Sequence, residues 1–151
     1  MTPLLDFNLV PSATSSRVQQ GEETRRTILK LAVDVASRRG VDALSIGELA
    51  RELGMSKSGP FAHFGSKEDL QIATIDAASH IFASAIVKPA YESPSGLTRL
   101  AALLEGQIRY LEESVFSGGC FFSAAAAEFD DQPGRVRDRI AQNMQIWADK
   151  L

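Results

Sequence analysis

Cysteine is almost missing from this chain. Cys120 stands alone, so no disulfide can close within the chain and a cross-linked scaffold is excluded. Metal-ligand spacing is missing too: the only histidines, His63 and His80, lie too far apart to share a site, and no metal site is expected. No glycine-rich phosphate loop follows an apolar run, and no nucleophile–base pattern stands out, so no enzyme signature and no cofactor site is read. No apolar run reaches bilayer length. Asp6 lies early, with no basic region ahead of an apolar one, which makes a poor signal peptide. The alternation of a half-buried strand is also lacking. These absences leave an all-α chain expected in the cytoplasm, away from membranes. Cys120 follows two glycines, and a thiol activated at a helix start is one reading of it. A plain buried cysteine is the preferred one.

Positive charge is in short supply as well. The net charge is −3, which by itself argues against a nucleic-acid partner. Its distribution answers that objection. Arg17, Arg25, Arg26, Lys30, Arg38, Arg39, Arg51, Lys57 and Lys67 crowd the first half, while Glu112, Glu113, Glu128, Asp130 and Asp131 sit in the second. That polarity suits a chain meeting phosphate at one end only.

The stretch SIGELARELGMSKSGPFAHFGSKEDL, from Ser45 to Leu70, carries most of the information. Ser45 caps a helix, Glu48 completes a capping box, and Leu44 with Leu49 has the spacing of a hydrophobic staple. Ile46, Leu49, Ala50 and Leu53 make one apolar stripe. Gly54 suits the left-handed stop. Ser56 is a second cap two residues later, so the next helix, Lys57 to about Phe64, leaves at a steep angle. Ser66 is a third cap, with Asp69 in the box position. Helix, glycine turn and serine-capped short helix is the sequence form of a helix-turn-helix, whose second helix enters the DNA major groove. Lys57, Ser58, Phe61 and His63 are the exposed positions of that helix. Gly59 leaves room for close approach, and Lys and Ser reach phosphates or base edges. Pro60 is the fourth residue after the Ser56 cap. There it removes an N–H for the Ser56 carbonyl, and leucine is expected to suit the position better.

With those motifs in view, ALSIGELARELGMSKSGPFAHFGSKEDL resembles the DNA-binding motif of TetR/AcrR-type transcriptional repressors, from about Thr24 to Ala77. Pro60 departs from that pattern, which usually has an aliphatic residue there. The resemblance implies a double-stranded DNA operator as partner, with Arg25, Ser45, Ser56, Lys57, Ser58, Gly59, Phe61, His63 and Lys67 at or near the contact. It also implies a homodimer, and a small-molecule effector bound among the later helices that weakens operator binding.

Residues 1–20 read as a disordered tail, broken by Pro3, Pro11 and a serine-rich cluster. A basic arm carrying Arg17 to the minor groove is the rival reading, and the loose extension is preferred. Residues 21–68 form the helix-turn-helix domain. Its first helix runs from about Glu22 to Arg39 on the face Ile28, Leu31, Ala32, Val35 and Ala36, and stops at Gly40. Residues 69–151 form a helical regulatory domain. Helix 4 runs to about Val87 before Lys88-Pro89. Its two stripes, Leu70, Ala73, Ala77, Ile81 and Ile72, Ile75, Phe82, Ile86, require burial on two sides. Ser93 and Pro94 open helix 5, whose buried face is expected to be Leu97, Leu100, Ala101, Leu104, Ile108 and Leu111. Cys120 to Phe129 makes helix 6. Helix 7 follows Gln132-Pro133 on Val136, Ile140, Met144, Trp147 and Leu151.

The second half is rich in large apolar groups. Simple core packing explains that; an apolar effector cavity is the functional reading, with Phe82, Ile86, Ile108, Phe122, Phe129, Met144 and Trp147 as candidate lining. The resemblance favours the cavity. Two rivals stand beside a ligand-released repressor: a truncated, ligand-independent relative that interferes with a longer regulator, and an enzyme using Cys120. TetR-like proteins pair through two further helices. Seven are counted here, so the regulatory domain reads as incomplete, the family dimer is in doubt, and an uncovered apolar surface on helices 5 to 7 is expected.

Overall fold

The computed structural model describes residues 16–56, 58–94 and 96–149, all of its regular structure helical. Among the described residues, seven helices follow in order. They are α1 (Ser16–Arg39), α2 (Ile46–Glu52), α3 (Ser58–Phe64), α4 (Lys67–Tyr91), α5 (Leu97–Glu112), α6 (Phe121–Glu128) and α7 (Arg135–Ala148). The expected all-α architecture holds: α1 to α3 form the N-terminal unit, and α4 leads from it into the bundle of α5, α6 and α7.

α1 begins earlier than expected, so residues 16–20 are helical rather than part of a tail. Pro11 is the nearest upstream breaker, and the intervening Ser, Gln and Glu residues tolerate helix. Residues 1–15 lie outside the described residues. Ile28, Ala32, Val35 and Ala36 are buried as the face predicts.

α2 follows its signals closely. The Ser45 hydroxyl accepts the Glu48 N–H at 3.4 Å. The Glu48 carboxylate does not complete the box; it turns to Arg39, 3.6 Å away. At the other end the Met55 N–H reaches the Ala50 carbonyl and the Gly54 N–H reaches Arg51. With Gly54 at φ +64°, this is a Schellman stop.

α3 is described over Ser58–Phe64, and Lys57, its expected first residue, lies outside the described residues. The Ser56 carbonyl accepts the Gly59 N–H at 3.0 Å, so Pro60 orphans nothing. Pro60 lies in the first turn of α3, where a helix leaves N–H groups unpaired in any case, and its ring is fully buried. The case for leucine is weaker than the sequence suggests: the Ser56 carbonyl already has one donor, and leucine's bulk must enter a filled site.

α4 continues past Val87. It is α-helical over Lys67–Phe82, π-helical over Ala83–Val87 and α-helical again over Lys88–Tyr91. The Lys88 N–H reaches back five residues to the Ala83 carbonyl, and this wider turn lets Pro89 follow without ending the helix. At 25 residues, α4 is long and apolar enough to cross a bilayer, contrary to the sequence reading. Its faces are spent on protein instead. Leu70, Ile75, Ala77, Ala78, Ile81, Phe82 and Ile86 are all buried, with α1 and α7 packed along α4 and α5 covering its π-helical turn.

α5 overturns an expectation. It starts at Leu97 behind Gly96 at φ +79°, not at Pro94. Its apolar stripe faces outward: Leu97 is 84% exposed, and Leu100, Leu104, Ile108 and Leu111 are exposed too. The face that docks holds Gly106 and Tyr110. A Cβ on Gly106 would lie 3.3 Å from Ile86 Cγ2, so α5 rests on the π-helical turn of α4 through its smallest residue. In α7 the buried row is Val136, Ile140 and Asn143, with Trp147 half-buried, and Met144 is exposed. Leu151 lies outside the described residues.

Candidate nucleic-acid interface

α3 is held from behind. Pro60 and Phe64 are buried beneath it, and the Arg25 guanidinium of α1 lies over the Phe64 ring at 5.1 Å. That cation–π contact ties α1 to α3, so Arg25 braces the helix from the side. Ser45 sits at the start of α2 as a cap. Facing outward from α3 and its approach are Ser56, Ser58, Phe61 and Ala62, all exposed, with Phe61 54% accessible. The Ser56 and Ser58 hydroxyls lie 3.0 Å apart. A Cβ on Gly59 would lie 3.1 Å from the Met55 methyl, so glycine there also serves packing. His63 is half-buried beside Phe64. The Lys67 ammonium is exposed but engaged, 2.9 Å from Asp42. Lys57 lies outside the described residues.

Charge at the junction with the bundle is closely paired. Hydrogen bonding from Lys67 holds the Asp42 carboxyl below its ordinary range. Asp69 is held down by the Ser66 hydroxyl first and Arg135 second. Arg135, at the start of α7, reaches Glu68 at 2.7 Å and Asp69 at 3.1 Å, and Arg139 reaches Asp76 at 3.2 Å. These pairs are exposed, so they orient α7 on α4 more than they stabilise it.

The effector candidates divide. Phe82, Ile86, Phe122 and Phe129 are buried. Phe82 stacks on Trp147 with ring centres 4.2 Å apart, and Phe122 meets Trp147 edge-on at 4.2 Å. Tyr110, Phe116 and Phe121 continue the cluster. Ile108 and Met144 do not belong with them: they are 57% and 45% exposed. Open space lies elsewhere. One cleft of about 320 Å³ runs between Asp42, Lys67, Gln71 and the start of α7. Another of about 340 Å³ runs along α4 and α7, with Trp147 and Asn143 on its wall and His80 and Asp76 on its rim. Cys120 is half-buried, just ahead of α6. Burial pushes the adjacent Tyr110 hydroxyl far above its ordinary range, and that hydroxyl makes no hydrogen bond of good geometry although Cys120 and the Phe121 backbone lie beside it. No metal-binding cluster occurs among the described residues.

The family profile described as "Bacterial regulatory proteins, tetR family" matches residues 28–74, and "Tetracyclin repressor-like, C-terminal domain" matches 96–151. The chain belongs to the TetR family. Among TetR-family relatives, the HTH-type transcriptional regulator AcrR of Shigella flexneri is 38% identical over 52 residues, which cover 34% of this chain and 24% of AcrR. The match thus spans about a quarter of that regulator's length. A TetR regulator from Chloroflexus aurantiacus J-10-FL superposes with a TM-score of 0.72 at 26% identity, covering 87% of this chain and 66% of its own. AibR, solved with isovaleryl coenzyme A and operator DNA, superposes with a TM-score of 0.69 at 22% identity, covering 85% and 68%.

Sequence reasoning missed several TetR-chain residues at the junction. Glu128 sends its carboxylate to the loop after α1, and Ser117 and Gly118 lie against the end of α1. Only the acid that follows four alanines and the paired glycines signalled them.

Proposed function

We propose that this chain is a transcriptional repressor that binds operator DNA through α3 and releases it when a small apolar or amphipathic molecule enters its second half. The observation that carries the DNA reading is the outward row of α3. Small hydroxyls and one exposed aromatic stand on a helix whose opposite side is buried and braced, which is what insertion into a major groove needs. The family's match over residues 28–74 supports the same unit. The effector reading is supported by the aromatic cluster beside the α4–α7 cleft, and by the relative solved with both an acyl-coenzyme A and operator DNA. A repressor reading paired half-sites needs two copies, and the outward stripe of α5 is the surface offered for pairing.

The test begins with duplexes selected from a random pool by the wild-type protein. Phe61→Ala should weaken anisotropy-measured affinity by about tenfold or more, the scale of one lost base contact. It should barely change the melting temperature, because Phe61 is exposed. Undiminished affinity in that variant would exclude α3 as the reading helix. A ligand-independent regulator would separate from this reading in the same assay, by releasing the duplex to none of a panel of short acyl-coenzyme A thioesters and lipophilic amphiphiles.

A further inference from the structure

The end of α6 makes one contact out of keeping with its position. Glu128 is the last residue of α6, and a carboxylate at a helix C-terminus sits at the negative end of the dipole. Two backbone donors offset that cost. Glu128 Oε2 accepts the Val41 N–H at 2.7 Å, and Oε1 accepts the Asp42 N–H at 2.9 Å. Gly40 makes room for the pair. It has φ +90°, and a Cβ there would lie 2.6 Å from Oε1. The loop so held is the entry to α2. The Val41 side chain is buried and its carbonyl accepts from Gln71 of α4 at 3.2 Å. The Asp42 carboxylate accepts from Lys67 at 2.9 Å. Leu44, two residues on, is buried under α2 as the staple. One carboxylate from the bundle therefore closes a network joining the α1–α2 loop, the first turns of α4 and the end of α6.

We propose that Glu128 is a positioning residue for operator recognition. By holding the Val41 and Asp42 N–H groups it fixes the seat of α2, and through α2 the angle at which α3 meets a base edge. The inference rests on the DNA-binding reading above. It adds that specific affinity depends on a residue that lies in the second half of the chain and outside α3. Without the carboxylate both N–H groups lose a charged acceptor; the Val41 contact is partly buried, where an unmet donor is costly, and the Asp42 contact is exposed.

Glu128→Gln is the test. It preserves length, but its amide offers one acceptor and turns a donor toward a donor. Hydrogen exchange at the Val41 and Asp42 amides should rise at least tenfold, while protection in α4 around Leu70 and Ile75 stays as in the wild type. Affinity for the selected duplex should fall about tenfold, while affinity for an unrelated duplex of equal length stays put. Equal losses on both duplexes, or lost protection throughout α4, would make Glu128 merely structural. Unchanged specific affinity despite faster exchange would also overturn the proposal. A wild-type protein that selects no duplex removes the DNA-binding reading and the proposal with it, and the exchange data still report whether the contact exists. Should Glu128→Gln fold poorly, Glu128→Asp keeps the charge but is one methylene short. It is expected to show the same pattern at smaller size, and wild-type affinity and exchange in it would again overturn the proposal.

Discussion

Gly118→Ala is expected to lower the melting temperature by about 10 °C or more, a larger loss than alanine at any other described glycine. The reason is distance. A Cβ at 118 would lie 1.7 Å from the Ser37 carbonyl oxygen, 2.2 Å from its carbon and 2.7 Å from the Arg38 nitrogen. These are backbone atoms of the last turn of α1, which cannot yield as a side-chain tip can. Relief requires the 114–119 loop to lift. That forfeits the Ser117 hydroxyl bond to Asp34 at 2.6 Å and the Gly118 N–H bond to Ser37 at 3.3 Å. It also loosens Phe116, which is buried against Tyr110 and Phe121. Overpacking with backbone displacement costs about 1–3 kcal/mol, and loss of the dock adds to it. Gly119 is the internal control. It has φ +93° but open space around it, so Gly119→Ala meets conformational strain alone, about 1–2 kcal/mol. Thermal unfolding of the two variants side by side should place Gly118→Ala clearly lower. Equal small losses would mean that this loop does not pack on α1 in solution.

The outward stripe of α5 supports the second large effect. Leu97, Leu100, Leu104, Ile108 and Leu111 recur at helical spacing and stay exposed along one face. A contiguous apolar patch of that kind marks an interaction surface, and covering each half-exposed side chain contributes roughly half of the 1.5–3 kcal/mol of full burial. The chain is expected to self-associate at micromolar concentration through this face. Leu104→Glu should raise the dissociation constant tenfold or more, because burying an unpaired carboxylate is costly. It should leave the melting temperature of the dilute protein unchanged, since Leu104 contributes nothing to the core. Cooperative binding to a paired half-site duplex should fall in parallel. Sedimentation equilibrium over a dilution series decides the matter. A chain that stays monomeric at high concentration, or a variant that associates as the wild type does, defeats the assignment of this face to pairing.

Both effects lie where the sequence was least legible, and the reason is shared. Local signals depend on neighbours in the chain, and the sequence carried them. The Ser45 and Ser66 caps, the Gly54 stop, the burial of Leu44 and Leu49 and the double burial of α4 are short-range facts, and the structure repeats them. Pro60 and Pro89 were misjudged because a missing N–H matters only where an acceptor waits for it. At Ser56 the Gly59 N–H filled that need, and at α4 a π-helical turn removed it.

By itself, the sequence determined seven helices, the helix-turn-helix and the aromatic wealth of the second half, because capping, periodicity and turn chemistry are properties of adjacent residues. Only the tertiary structure decided which face of α5 is covered. Periodicity finds an apolar stripe but cannot name its partner, and here tiny Gly106, not the leucines, lets α5 approach Ile86. Tertiary structure also moved the α7 core row from Met144 to Asn143. It brought Glu128 to the backbone of residues 41 and 42, and Gly118 to the carbonyl of Ser37. Those contacts join residues more than eighty positions apart, a separation over which neither propensity nor period carries information.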